Sequence, residues 1–265
     1  MYDFAYHRPK TLAEATAALK GKPEARPMSG GMTLIPTLKQ RLAKPTDVVD
    51  LGGIKELAGI KVEGNAVTIG AMAKHAEVAS SLEVGSRIPA LAALAGMIGD
   101  RQVRNRGTMG GSVANNDPAA DYPAAVVALN ATVTTNSRKI PADSFFKGLF
   151  ETALEDGELI TSISFPKAEK AAYMKFPNPA SRYAMVGVFV AKAGNNVRVA
   201  VTGAGSSVFR VKAMEDALAK NFSSDAIKDI NIPADGLNSD IHGSAEYRAH
   251  LVNVMARRAV DAANK

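Results

Sequence analysis

The chain has 265 residues, 46% of them hydrophobic and 22% charged, with no Cys and no Trp. This is the composition of a globular protein long enough for one large domain or two smaller ones. The missing cysteines exclude a disulfide scaffold, a Cys-ligated zinc site, an iron–sulfur cluster on this chain and thiol catalysis. The net charge of +6 divides into +3, −2 and +5 over residues 1–56, 57–165 and 166–265. Apart from Arg101, Arg104 and Arg106 the basic residues are scattered, so the charge reads as solvated surface and no nucleic-acid partner is expected.

In chain order, Thr11-Leu12-Ala13-Glu14 is a capping box that predicts a helix to Leu19, ended by Gly21 and Pro23. A second helix is predicted from Leu34 or Pro36 to Leu42 and a strand over Asp47–Leu51, giving a small β-α-β-like unit around Ser29-Gly30-Gly31. Ile60–Val62 and Ala66–Ile69 read as a hairpin, Pro89 opens an apolar helix, and Ala131–Thr135 with Arg138–Ile140 reads as a strand pair. Glu158–Phe165 alternates as a strand and stops at Pro166. Beyond it, Ala171–Phe176, Tyr183–Ala191 and Val197–Thr202 predict a three-stranded meander. Helices around Val211–Lys220, Ser224–Asp229 and Ser244–Ala263 follow. The pattern is α+β, with a boundary near Pro166 and a lesser one near residue 55. No apolar run approaches the roughly 20 residues that cross a bilayer. The N-terminal residues lack the apolar core of a signal peptide, so a cytoplasmic location is expected.

Two glycine pairs carry the chemistry: Ser29-Gly30-Gly31-Met32-Thr33-Leu34 and Thr108-Met109-Gly110-Gly111-Ser112. Paired glycines between an extended segment and a helix can turn successive N–H groups into one anion-binding concavity. Two such segments fit the two phosphoryl groups of a pyrophosphate; each alone also reads as an ordinary tight turn. There is no Gly-x-Gly-x-x-Gly after a first strand and no Walker lysine motif, so neither a Rossmann fold nor a P-loop is supported. Asp117 and Asp121 would repel phosphate, so they face sugar hydroxyls or backbone donors, or cap the turn at Pro118 and the helix at Tyr122. Lys175 and Tyr183 fall on the meander, where half-buried sheet positions are the plain reading. His7, His75, His242 and His250 are far apart, which supports neither a metal site nor a catalytic histidine.

Taken together these segments resemble the FAD-binding medium subunit of molybdenum hydroxylases, most closely the aerobic carbon monoxide dehydrogenase type. The resemblance is carried by Phe4–Pro9, Ser29–Pro36, Gly107–Ser112 with Asn116–Asp121, Gly157–Thr161 and His242–Arg248, and it runs through the whole chain in order. It implies a two-part FAD-binding domain of the vanillyl-alcohol-oxidase type over residues 1–166, with subdomains of about 1–55 and 56–166. A small flavoprotein C-terminal domain would follow over 167–265.

The resemblance also implies roles. Ser29, Gly30, Gly31, Met32, Thr33 and Leu34, with Thr108, Met109, Gly110, Gly111 and Ser112, would wrap the FAD pyrophosphate. Asp121 would bond a polar part of the cofactor, and Ile98 and Ile160 would line its pocket. Lys175 would sit near the isoalloxazine ring, stabilising the reduced flavin, and Tyr183 would cover one ring face. Met32 and Met109 depart from the residues usual in relatives. Without cysteines, the branch of benzoyl-CoA reductase-type subunits is excluded. The implied function is electron transfer: a large partner holds the molybdenum cofactor, a small partner holds iron–sulfur clusters, and an external acceptor receives the electrons. A dimer of heterotrimers is expected. Competing readings are a stand-alone flavin reductase or oxidase of the same fold and a basic, non-enzymatic binding module.

Overall fold

The computed structural model describes residues 1–265. Thr11 starts the first helix as its spacing to Glu14 requires. Its hydroxyl accepts from the Glu14 N–H at 3.2 Å, and the Glu14 carboxylate accepts from the Lys10 N–H at 2.8 Å. The N-terminal unit runs β1 (Ala5–His7), α1 (Leu12–Leu19), β2 (Arg26–Met28), α2 (Leu34–Lys39) and β3 (Asp47–Asp50). Its three strands are parallel in the order β1-β3-β2, so the β-α-β-like reading holds. A small core of Ala15, Leu19, Val49, Leu51 and Leu57, joined by Leu159 from far along the chain, lies beneath it.

The second unit begins with the hairpin β4 (Ile60–Glu63) and β5 (Ala66–Gly70). A run of short helices follows: α3 (His75–Ser80), α4 (Leu82–Arg87), α5 (Pro89–Gly96), α6 (Arg101–Arg104), α7 (Met109–Asn115) and α8 (Tyr122–Ala128). The chain then returns as β6 (Thr132–Thr135), β7 (Lys139–Pro141), α9 (Ala142–Phe145), the small hairpin β8 (Phe146–Gly148) and β9 (Glu151–Thr152), and β10 (Ile160–Pro166). The antiparallel sheet has the order β4-β5-β10-β6-β7, with Ile163 opposite both Ile69 and Val133. Every residue of α8 is buried, because the next sheet packs on it from one side and helices α5, α7 and α9 surround it.

The third sheet is antiparallel: β11 (Lys170–Pro177), β12 (Ala184–Ala193), β13 (Asn196–Thr202) and β14 (Phe209–Arg210). Three of its strands match the predicted meander. The fourth, two residues long, is too short to show alternation. Helices α10 (Lys212–Lys220) and α11 (Ala245–Ala263) complete the chain, and Ser224–Ile227 forms a single 3-10 turn where a helix is predicted.

Alternation along β12 divides its side chains between two cores. Val186, Val188 and Val190 pack with α10 and α11, while Phe189 and Ala191 pack with α8 and the second unit. The third sheet is therefore a wall with apolar contacts on both faces, and the face turned towards α8 carries the polar groups of the site.

Candidate functional site

The first glycine segment lies between the end of β2 at Met28 and the start of α2 at Leu34. None of the backbone N–H groups from Ser29 to Leu34 finds an acceptor in the protein. Gly31 has φ +74, the left-handed region open to glycine. Unpaired amides in such a row leave a strong demand for an external acceptor, and a concave row of them favours an anion.

The second glycine segment is built differently. Thr108 is extended, pairs across to Lys74 and caps α7, its hydroxyl accepting from Gly111 N–H at 3.1 Å. Met109 N–H and Gly110 N–H donate to the carbonyls of Ala73 and Ala71, each at 2.9 Å, and Ser112 N–H donates to Thr108 O at 3.0 Å. Met109 and Gly110 thus form the first helical turn, not an open loop. The Met109 side chain is fully buried. A Cβ on Gly110 would lie 2.5 Å from that of Ala71, so this glycine serves close packing. Ile160 begins β10 in the same core, and Ala71 N–H donates to the neighbouring Thr161 carbonyl at 2.9 Å.

The two segments meet. A Cβ on Gly30 would stand 2.0 Å from the Arg106 carbonyl oxygen and 2.8 Å from the Gly107 Cα; one on Gly111 would stand 3.3 Å from the Ser29 Cβ. The open row of N–H groups on one segment is therefore walled by the backbone of the other. Behind that wall sits His75, whose ring lies 5.4 Å from that of Tyr122, tilted by 51°. Its Nδ1 and the Tyr122 hydroxyl are both buried without partners. Burial, reinforced by Arg104, lowers the His75 pKa to about 4, which keeps the ring neutral. Arg104 itself donates to the carbonyls of Ile98 and Gly99 at 2.9 and 3.1 Å, so this member of the basic cluster is engaged locally.

Asp121 does not cap α8 with its side chain. Its two oxygens are taken by β11: Tyr173 Oη donates to Oδ1 at 2.5 Å and Lys175 Nζ to Oδ2 at 3.0 Å. Burial pushes the carboxyl pKa up, against the opposing pull of Lys175 and Tyr173. Lys175 Nζ also donates to the carbonyl of Met97, next to Ile98, at 3.2 Å. This side chain, read as half-buried, is 4% exposed. Asp117 caps the turn at Pro118 as expected, accepting from Ala119 N–H at 2.9 Å. Tyr183 precedes β12 by one residue and is 47% exposed. It stands beside a cavity of about 250 Å³ that Asp117, His242 and Arg248 also line.

The geometry therefore joins Ser29–Leu34 to Arg106–Ser112, and Asp121 to Lys175 and the Ile98 turn. Tyr173 escapes a reading of local motifs, although its place two residues before Lys175 on a strand puts both side chains on one face.

The residues suit a dinucleotide: an open amide row for phosphate, glycines where a Cβ would block the backbone, and a polar group further along with an exposed aromatic beside it. Residues 2–168 match the family described as the FAD binding domain in molybdopterin dehydrogenase. The glyceraldehyde dehydrogenase medium chain of Sulfolobus acidocaldarius is 36% identical over 97% of both chains. The nicotine 6-hydroxylase medium subunit of Paenarthrobacter nicotinovorans is 34% identical, over 96% of this chain and 95% of that one. A solved carbon monoxide dehydrogenase chain from Hydrogenophaga pseudoflava superposes with a TM-score of 0.87 at 35% identity, covering 99% of this chain and 97% of its own. The chain belongs to the FAD-binding family of molybdopterin dehydrogenases, and FAD is the cofactor its site is built to hold.

Proposed function

We propose that this chain is the FAD-carrying medium subunit of a heteromeric molybdenum hydroxylase. It would pass electrons from iron–sulfur clusters on a small partner to an external acceptor, while a large partner holds the molybdenum cofactor and oxidises the substrate. The observation that carries the reading is the row of unpaired amides from Ser29 to Leu34, closed against the Arg106–Gly111 backbone. When bound, FAD supplies a redox centre able to exchange electrons singly on one side and in pairs on the other.

The chain's own residues bind and orient. The amide row holds the pyrophosphate, with Thr108, Met109, Gly110, Gly111 and Ser112 as the wall behind it. Ile98 and Ile160 would line the pocket by packing, Asp121 and Lys175 would set the field at the flavin, and the exposed Tyr183 ring would be available to pack on it. With no cysteine to ligate a cluster on this chain, the reading assigns the clusters to the small partner. In this reading, with a division at about residue 166, the first two sheets would bind FAD and the third would supply the Lys175 side of the pocket.

A dimer of heterotrimers in the cytoplasm is the expected assembly; no helix is long and apolar enough to cross a membrane. Relatives of nearly equal similarity bear names for glyceraldehyde and nicotine oxidation, so similarity alone selects no substrate. Purification of the native protein from its host tests the reading. Molybdenum and iron should co-elute with this chain and two further subunits, whereas elution of the chain alone with its own substrate turnover would overturn it.

A further inference from the structure

Three positions lie in one row across the face of the third sheet that meets α8. Lys175 on β11 is opposite Gly187 on β12, which is opposite Thr202 on β13. The Thr202 hydroxyl engages the carbonyls of Pro118 and Ala120 at 2.9 and 2.6 Å, so this row binds the segment that ends in Asp121. Gly187 interrupts the middle of a ten-residue central strand, where glycine is unfavourable. A Cβ there would lie 2.2 Å from the Tyr173 hydroxyl oxygen. The Tyr173 ring stacks on Phe189 at 6.1 Å, a role phenylalanine would fill equally. What remains unexplained by packing is the buried hydroxyl and the vacant position that admits it.

Resting on the FAD reading above, we infer that Tyr173 is a positioning residue of the flavin site. Its hydroxyl, seated where Gly187 has no side chain, holds one oxygen of Asp121 so that the other fixes Lys175 beside the cofactor. The remaining titratable groups around Asp121 are Tyr122, next on α8, and Tyr183, from the turn after β11, with Asp117 beyond it. From α5 only the neutral Met97 carbonyl reaches the cluster. No other cation faces the carboxylate.

Tyr173→Phe keeps the ring and removes one of the two donors to a buried carboxylate, so Asp121 takes up its proton at higher pH. Once Asp121 is protonated, the Lys175 charge is uncompensated and stabilises the reduced flavin. Two measurements on the full-length chain test this. Without FAD, the infrared band of a protonated buried carboxyl, assigned by its loss in Asp121→Asn, should titrate about one pH unit higher in Tyr173→Phe, a tenfold gain in proton affinity. With FAD, the variant's midpoint potential should rise above that of the parent over the pH range in which Asp121 is protonated in the variant and still ionised in the parent, and the two should converge on either side of it. An unchanged infrared titration overturns the inference whatever the flavin does. A shifted titration with parallel potentials overturns the link to the cofactor. Failure of the parent chain to bind FAD overturns the reading beneath it as well.

Discussion

At the scale of single residues, the chain spends its buried charges on holding loops rather than on acid–base chemistry. Glu158 shows this best. Arg138 grips both its oxygens at 3.0 and 2.9 Å, Thr135 and Ser137 add hydroxyl donors at 2.6 and 2.9 Å, and Glu155 N–H adds another at 2.8 Å. The Arg138 guanidinium is the chief cause that lowers the Glu158 pKa to about 2. A folded pKa below the unfolded value of about 4.3 means that the stabilisation is complete above that value and is lost as the pH falls towards the folded one. Glu158→Gln should therefore lower the thermal midpoint at pH 7, and the difference from the parent should shrink between about pH 4.5 and 2. Thermal unfolding by circular dichroism across that range checks it; a difference independent of pH would mean that Glu158 acts by packing alone.

At the scale of elements, the amide row depends on where helices stop and start. Helix α7 ends at Asn116, buried at φ +43, whose Nδ2 donates to the carbonyls of Gly148 and Glu151, both at 2.8 Å. The helix that walls the first glycine segment is thus clamped at its far end to the β8–β9 hairpin. Asn116→Ala removes two bonds and places a Cβ-bearing residue without a side-chain partner in the left-handed region. The expected loss is about 2–4 kcal/mol. Asn116→Gly relieves the backbone part and should cost about half as much, and urea unfolding of the two variants separates the contributions.

Local elements were legible in the sequence wherever alternation or a capping box was complete. The α1 cap, the β4–β5 hairpin, the three long strands of the third sheet and α11 all stand where they are predicted. The β8–β9 hairpin and the helices from α3 to α4 were not, because short segments carry too few periods to show one. The site was half legible. Two glycine pairs are visible in the sequence, yet only the structure shows that Gly110 packs on Ala71 while Ser29–Leu34 stays open. Asp121 meets Tyr173 and Lys175 across more than fifty residues, and that pairing is fixed by sheet register, which no local pattern encodes.

At the scale of the whole molecule, the site exists only where separate cores adjoin. The Ser29–Leu34 row belongs to the N-terminal unit, Arg106–Asp121 to the second, and Lys175 with Tyr173 to the third sheet, whose other face is packed by α10 and α11. A change at the junction should then disturb cofactor binding more than it disturbs any one core. Gly30→Ala is that change, since its methyl would collide with the Arg106 carbonyl without entering an apolar cluster. The most direct test of the account is a flavin fluorescence titration of the parent chain and Gly30→Ala. The account predicts one FAD per parent chain and an affinity about five- to a hundredfold weaker in the variant, for a local clash on the order of 1–3 kcal/mol. Absence of FAD binding by the parent, or equal binding by the variant, would contradict it.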